Sequence, residues 1–380
     1  MNSISLYIHY PFCRSKCPYC DFNSYCNINV DEDRLIVGYL NELDYYKDII
    51  SKRNIGTMYF GGGTPSLMSE KMLSKIMDKI SSIGKIGNDC EITLEANPNS
   101  ITFDKLDNFK KIGVNRLSIG VQSLYDEDLK TLGRIHNRSN AIEAIRNAQK
   151  IFKNRYTIDL IYTRPNQNLN DWKNELDEAV KLSPYHISLY QLIIEKGTRF
   201  YKDKVKLPDD DLSVEFYNIT RDILEDNGIH FYEISNYARN GYESRHNMVY
   251  WTNGEWIGIG AGAHGRINKG LNRYAIQNLK NPIAWLDKCI QKSNGISLKT
   301  KLLEKEIVEE FVLMGLRIKD GIKLSDLQKN VNVNSLYEVL DKKNIEFLSK
   351  NGLIVENGEN IKIKGDGFLL LNSIIEKILP

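Results

Sequence analysis

The sequence has almost no net charge, few cysteines and no long apolar run. Lysine and arginine number 51 against 49 aspartates and glutamates. This balance gives no reason to expect nucleic acid as the main partner. Six cysteines in 380 residues do not make the dense disulfide scaffold of a secreted protein. No apolar stretch approaches membrane-spanning length, and the first residues lack a charged segment followed by an apolar one. We therefore expect a cytoplasmic protein.

The bulk composition is that of an ordinary globular protein. Hydrophobic residues make up 42% of the chain and charged residues 26%, which suffices for a sizeable core. A length of 380 residues predicts two domains, or one barrel with an appendage.

Three of the six cysteines stand close together, directly after an alternating strand. Cys13, Cys17 and Cys20 have the spacing C-x3-C-x2-C. Thiolates hold iron–sulfur clusters, and a four-iron cluster needs four ligands, so three cysteines leave one iron open. A zinc site is an alternative, although zinc loops normally combine C-x2-C pairs with a nearby fourth His or Cys. A second alternative is that three reduced structural cysteines cluster here by chance.

This loop and the residues before it, Tyr-Ile-His-Tyr-Pro-Phe-Cys at 7–13, resemble the radical S-adenosylmethionine superfamily. The match is to the branch that contains oxygen-independent coproporphyrinogen III oxidase and the haem chaperones (HemW), and it runs over nearly the whole chain. The resemblance implies a 4Fe-4S cluster on Cys13, Cys17 and Cys20, with S-adenosylmethionine on the open iron.

Strands and helices alternate about six times along the first half of the chain, which predicts an α/β fold with a parallel sheet. Two architectures are compatible with this alternation: a doubly wound open sheet and a barrel. Because one face of successive strands is polar, a barrel around a polar ligand is favoured over a sheet covered on both faces. The superfamily resembled has an open six-stranded partial barrel, (β/α)6, which agrees. The polar strand residues are Glu95, Arg116, Gln122, Asp159 and His186.

A glycine run follows the second predicted strand. Gly61-Gly62-Gly63-Thr64-Pro65 lets the main chain approach a ligand and present its N–H groups. The resemblance implies that Gly62, Gly63 and Thr64 lie along S-adenosylmethionine. It implies the same role for further residues, each of which alone would be interpreted as a solvated, ion-paired or packed side chain: Tyr7, Tyr19, Glu95, Gln122, Arg134 and Asp159.

Two positions depart from the family pattern. Thr163-Arg164 replaces a usual Gly-Leu pair, which predicts a different loop shape or an added positive charge near the cavity mouth. Gly265 replaces a usual serine in the glycine-rich segment at 256–265.

Residues 246–251, His-Asn-Met-Val-Tyr-Trp, are similar to the HN-x-x-YW signature of the haem chaperones. Imidazole can ligate haem iron and aromatic rings can stack on it, so His246 is a predicted haem ligand. From the residues alone, a buried histidine packed against tyrosine and tryptophan is the simpler interpretation.

The last part of the chain reads as helices with a terminal hairpin across Asn357-Gly358, a winged-helix-like pattern. No basic recognition helix stands out, so we interpret it as a lid or partner surface and expect no nucleic acid. The predicted domains are a barrel at 1–240, a connecting segment at 241–292 and the winged-helix-like domain at 293–380.

Three functions are compatible with the sequence. The resemblance implies a haem chaperone that delivers haem, its cargo, to an acceptor protein, for which a membrane-associated protein is one option. The alternative is radical oxidative decarboxylation of coproporphyrinogen III. The third is a zinc or redox module. The oxidases carry a fourth cysteine where this chain has Phe22, and an extension before the first strand; both differences favour the chaperone. One scaffold hosts both activities, so whether the protein is an enzyme stays open.

Overall fold

The computed structural model describes residues 3–26, 28, 30–183, 185–270 and 272–380. Its centre is a run of six adjacent parallel strands in the order of the sequence. This confirms the predicted α/β partial barrel. The strands are β1 (Ser3–Tyr10), β2 (Asn54–Gly62), β3 (Lys85–Ala96), β4 (Arg116–Gln122), β5 (Tyr156–Tyr162) and β6 (His186–Gln191).

Helices connect these strands and cover the outside of the sheet. Ile4, Leu6 and Ile8 alternate along β1 and are fully buried in the same core as the apolar residues of the helices. Side chains of Ser69, Thr102, Asn137 and Asn168 cap four of the helices. The helices are α1 (Glu32–Tyr45), α2 (Lys47–Ile50), α3 (Glu70–Ile83), α4 (Phe103–Ile112), α5 (Asp126–Thr131), α6 (Arg138–Phe152) and α7 (Leu169–Leu182).

The sheet extends beyond the six predicted strands on both sides. One added strand runs parallel to β1, and further antiparallel strands flank it and β6, so that the described residues form a sheet of twelve strands. Several of these strands lie in residues 241–292. The elements are α8 (Arg199–Lys202), α9 (Asp210–Asp226), β7 (His230–Glu233), β8 (Asn236–Ala238), α10 (Arg245–Trp251), β9 (Trp256–Ile259), β10 (His264–Lys269), β11 (Asn272–Asn278), α11 (Pro282–Lys292) and β12 (Ile296–Lys301).

The C-terminal part has its own apolar core and a small three-stranded sheet. The predicted hairpin is present, but the helix predicted over 335–350 begins only after Asp341, whose side chain accepts a hydrogen bond from the Asn344 amide and caps a new helix. The elements are α12 (Glu304–Gly315), β13 (Ile322–Lys323), α13 (Leu324–Leu327), α14 (Lys342–Lys350), β14 (Ile354–Glu356), β15 (Asn360–Ile363) and α15 (Leu371–Ile378).

Helix α10 lies between the barrel and this C-terminal part. It packs on β2 on one side and on α12 on the other. Arg266 on β10 forms an ion pair with Glu310 on α12, and Glu233 bridges to Ile318 through the backbone. None of the helices in the described part combines the length and hydrophobicity that crossing a membrane requires.

Candidate functional site

A cavity of about 380 Å³ opens at the carboxyl ends of the barrel strands, beside the cysteine loop. The carboxyl ends of parallel strands are the usual place for a ligand in open α/β sheets. The cavity brings together residues that lie far apart in sequence. It is lined by all three loop cysteines and by eight of the ten other predicted site residues: Tyr19, Gly62, Gly63, Thr64, Glu95, Gln122, Arg134 and Asp159.

Two hydrogen-bond donors approach the cysteine sulfurs from the barrel. The Thr64 hydroxyl donates to Cys13 Sγ over 3.4 Å, and the Arg134 guanidinium donates to Cys17 Sγ over 3.3 Å. A second guanidinium nitrogen of Arg134 donates to the Gly120 carbonyl over 2.9 Å and fixes its position. Donors aimed at sulfur stabilise thiolates, which are the form that binds metal.

The cysteine loop suits a cluster better than a single ion. Among the described residues, no three His, Cys, Asp or Glu side chains stand close enough to hold one metal ion. In an iron–sulfur cluster each cysteine bonds its own iron, so the sulfurs need not converge on one point. Burial raises the pKa of the Cys13 and Cys20 thiols, a cost that bonding to a cationic cluster offsets. The donor set therefore fits a cluster with three cysteine ligands.

The glycine run has a packing explanation that the sequence analysis missed. A Cβ on Gly62, whose φ is +111°, would stand 2.5 Å from the His9 ring, and a Cβ on Gly63 would stand 2.6 Å from the Phe12 carbonyl oxygen. Their amides do not point freely at a ligand. Gly62 N–H donates to Glu95 and Gly63 N–H to the Tyr10 carbonyl. The glycines thus allow the end of β2 to pack closely against the end of β1 and against Phe12, which leads into the cysteine loop.

Two carboxylates, Glu95 and Asp159, face the cavity from neighbouring parts of the sheet. Glu95 accepts hydrogen bonds from the Tyr59 hydroxyl at 2.8 Å and from the Gly62 amide at 3.1 Å. Asp159 accepts from the Ser118 hydroxyl at 2.9 Å. Burial raises the pKa of Glu95 to about 7 and that of Asp159 to about 6. A cationic ligand in the cavity would favour their ionised forms, because a nearby opposite charge offsets the cost of burying the carboxylates.

Three contributors to the cavity were not singled out in advance. Ser118 and Tyr190 line it, and Tyr59 donates a hydrogen bond to Glu95 in its wall. Ser118 and Tyr190 lie on the polar faces of β4 and β6, so the alternation that identified Glu95 and Asp159 also marks them. Tyr7 lies outside the cavity wall: its hydroxyl contacts His9 Nδ1 at 2.9 Å, and its ring stacks on Tyr59. The predicted contact of Tyr7 with S-adenosylmethionine stays a prediction.

Arg164, in the segment that departs from the family pattern, adds no charge to the cavity mouth. Its side chain is 1% exposed and pairs with Glu175 at 2.5 Å and with Asp128 at 2.9 Å. It also donates to the Ile161 carbonyl over 3.1 Å. The expectation of an added charge is wrong, because the guanidinium turns inward to neutralise a buried carboxylate.

His246 is the second residue of α10 and is fully buried. The Thr57 hydroxyl donates its hydrogen to Ser5, so it accepts from Nδ1–H of His246, at 2.7 Å. Nε2 must then accept from the Tyr250 hydroxyl, also at 2.7 Å. Burial lowers the pKa of His246 to about 3, so the ring is neutral. A bond from Nε2 to haem iron would need the lone pair that accepts the hydrogen bond from the Tyr250 hydroxyl.

Comparison with known proteins agrees with this geometry. Residues 7–179 match the model of the radical SAM superfamily, and residues 302–370 match that of the HemN C-terminal domain. Coproporphyrinogen III oxidase (HemN) from Escherichia coli superposes with a TM-score of 0.85 and 22% identity, covering 99% of this chain and 90% of that one. At this identity the similarity establishes the fold alone.

Curated relatives match over almost the whole chain. The haem chaperone HemW of Buchnera aphidicola is 37% identical over 99% of this chain and 98% of its own length. That of Bacillus subtilis is 34% identical over 99% of both chains. The mitochondrial radical S-adenosyl methionine domain-containing protein 1 of Danio rerio is 33% identical over 99% of this chain and 86% of its own. The chain belongs to the radical S-adenosylmethionine superfamily, in the branch that contains the HemW haem chaperones.

Proposed function

We propose that this protein binds haem and transfers it to an acceptor protein while carrying a 4Fe-4S cluster and S-adenosylmethionine. The observation that carries the proposal is identity of 33–37% over 99% of the chain to proteins named haem chaperones. Phe22 supports it, because the oxidases of this branch have a fourth cysteine at that position. The acceptor is a protein, either free or associated with a membrane, and we expect the chaperone to act in the cytoplasm.

Cys13, Cys17 and Cys20 would hold the cluster, with Thr64 and Arg134 donating to two of the sulfurs. When reduced, such a cluster supplies the electron for cleaving S-adenosylmethionine. The chain's own part is to bind and orient this ligand: Glu95 and Asp159 offer negative charge to its cationic end, and Gly62, Gly63, Gln122 and Tyr19 contribute to the wall around it. Burial of the two carboxylates strengthens this attraction because the surroundings screen charge weakly.

An anaerobic haem titration of the cluster-loaded protein, followed by absorption and gel filtration, tests the proposal. A haem chaperone retains haem through gel filtration and releases it to apo-acceptor proteins. If no haem is retained, the proposal is overturned.

The second candidate, oxidative decarboxylation of coproporphyrinogen III, has the fold in its favour. The same preparation supplied with reductant, S-adenosylmethionine and coproporphyrinogen would then form protoporphyrinogen. The prediction that His246 ligates haem iron belongs to the proposal but has no geometric support, because both ring nitrogens are engaged.

A further inference from the structure

The cysteine loop separates the cavity from a second, wider depression. This groove has a volume of about 840 Å³ and lies along the outer side of the loop, between the loop and α8. Cavity and groove share residues of the loop, among them Ser15, Lys16 and Asp21, so they are neighbours across it. A ligand lying over this loop would therefore contact both the cavity mouth and the groove.

The mouth of the cavity is apolar and exposed. Phe22, Ile193 and Tyr190 line the cavity, yet their exposed fractions are 61%, 63% and 42%. Exposed large apolar side chains that line one cavity together indicate a binding site. Phe22 is also the residue that stands at the position of the oxidases' fourth cysteine.

The groove carries more positive than negative charge. Lys16, Lys130, Lys196 and Arg199 line it, against Asp21 and Asp203. Arg199 pairs with Asp203 at 3.2 Å, and Lys16 donates to the Phe22 and Ser24 carbonyls. In the described part of the chain, Lys130 and Lys196 form no ion pair, so both are available to an anionic ligand.

We propose that haem binds across the cavity mouth, with one face of the macrocycle on Phe22, Ile193 and Tyr190 and its propionates toward Lys130 and Lys196. This inference rests on the proposed function. Haem is a flat, largely apolar ring with two carboxylates on one edge, which matches an apolar rim that continues into a cationic groove. Aromatic rings stack on such a surface, and each lysine attracts one carboxylate.

The size of the cavity also places haem outside it. A volume of about 380 Å³ is near the lower end of the range of about 300–1,000 Å³ for a pocket that holds one ligand. The proposed function already assigns this space to S-adenosylmethionine. His246 lines neither the cavity nor the groove, so haem at the mouth is not bonded to it.

Titration of the cluster-loaded protein with haem and with haem dimethyl ester, which lacks the carboxylates, tests both halves of the site. Phe22→Ala and Ile193→Ala should each weaken binding of both ligands by about tenfold, because truncating an anchor side chain costs about 1.4 kcal/mol or more. The double variant Lys130→Glu/Lys196→Glu should weaken haem binding, increasingly at low salt, and leave binding of the dimethyl ester unchanged.

Matched controls line neither the cavity nor the groove. Phe103→Ala removes an exposed ring on α4, and Lys173→Glu/Lys181→Glu reverses two exposed charges on α7. Both should bind haem as the unaltered chain does, and all variants should keep their iron content. Haem retained equally by every variant would overturn this site alone. No haem on the unaltered chain would overturn the site and the proposed function together.

Discussion

The hydroxyl of Tyr59 donates a hydrogen bond of 2.8 Å to Oε1 of Glu95, behind the wall of the cavity. The His246 ring stacks on the Tyr59 ring, with 5.1 Å between ring centroids. Tyr59 therefore connects the HN-x-x-YW helix to a carboxylate that faces the ligand cavity. The signature motif does not line the cavity. It contacts Tyr59, which in turn holds Glu95 in the cavity wall.

We expect the affinity for S-adenosylmethionine to rise with pH up to about 7. The pKa of Glu95 is raised to about 7, and the ionised form attracts a cationic ligand, so binding releases a proton and weakens as pH falls. Glu95→Gln should bind more weakly and lose this dependence near pH 7, keeping the dependence at lower pH that comes from Asp159, whose pKa is about 6. Calorimetry at a series of pH values measures this. An equal slope in Glu95→Gln would contradict it.

Cys13, Cys17 and Cys20 should hold the cluster, whereas the other cysteines should not. Cys17→Ala should lose most of the iron and sulfide found after anaerobic reconstitution, because a thiolate ligand is missing. Cys26→Ala is the matched control, since Cys26 is partly exposed nearby but lines neither the cavity nor the groove. Cys26→Ala losing iron as fully as Cys17→Ala would refute the assignment.

Asp159→Ala and Arg134→Ala should bind S-adenosylmethionine about tenfold more weakly, because each removes a charged side chain from the cavity wall. Calorimetry on reconstituted protein with measured iron content distinguishes this from cluster loss, which matters for Arg134 because of its contact with Cys17. Asp222→Ala, on the exposed surface of α9, is the control. Unchanged affinity in both cavity variants would show that these residues do not line the binding site.

His246→Ala should destabilise the protein and leave the haem absorption spectrum unaltered. Removing the ring leaves the Tyr250 hydroxyl without its acceptor and Thr57 with Ser5 as its remaining partner, which costs about 1–3 kcal/mol in the free energy of unfolding. Chemical denaturation and an absorption titration make the two measurements. An altered haem spectrum at unchanged stability would instead support the ligand role predicted from sequence.

Arg164→Met should lower the free energy of unfolding by about 3–5 kcal/mol, because it leaves the fully buried Glu175 without a cation. Arg34→Met is the control: its partner Asp287 and Arg34 itself are both largely exposed, and loss of such a pair costs about 1 kcal/mol or less. Denaturant titrations compare them. An equally small loss of unfolding free energy in both variants would show that the buried Glu175 does not need the charge of Arg164.

Much of this protein was determined by the sequence alone. Alternation in β1 and the helix spacing after it predict the parallel barrel, since burial of one strand face needs that period. The C-x3-C-x2-C loop predicts the cluster because the required ligand chemistry is local. The polar faces of β3, β4 and β5 predict Glu95, Gln122 and Asp159 as cavity residues. The added strands of residues 241–292 were missed, because short antiparallel pairings depend on neighbours distant in sequence.

Only the tertiary structure decided which polar residues meet and in what protonation state. Arg164 lies on a loop, yet it turns inward because Glu175 from α7 is buried beside it. His246 lies next to Thr57 only because α10 packs on β2, and that contact occupies its nitrogens. The pKa values of Glu95 and Asp159 rise because burial in the cavity wall removes water from around them. The spacing of residues in a sequence predicts ligand sets that lie within one loop. Burial, and the hydrogen-bond and ion-pair partners of a side chain, depend on packing between distant segments.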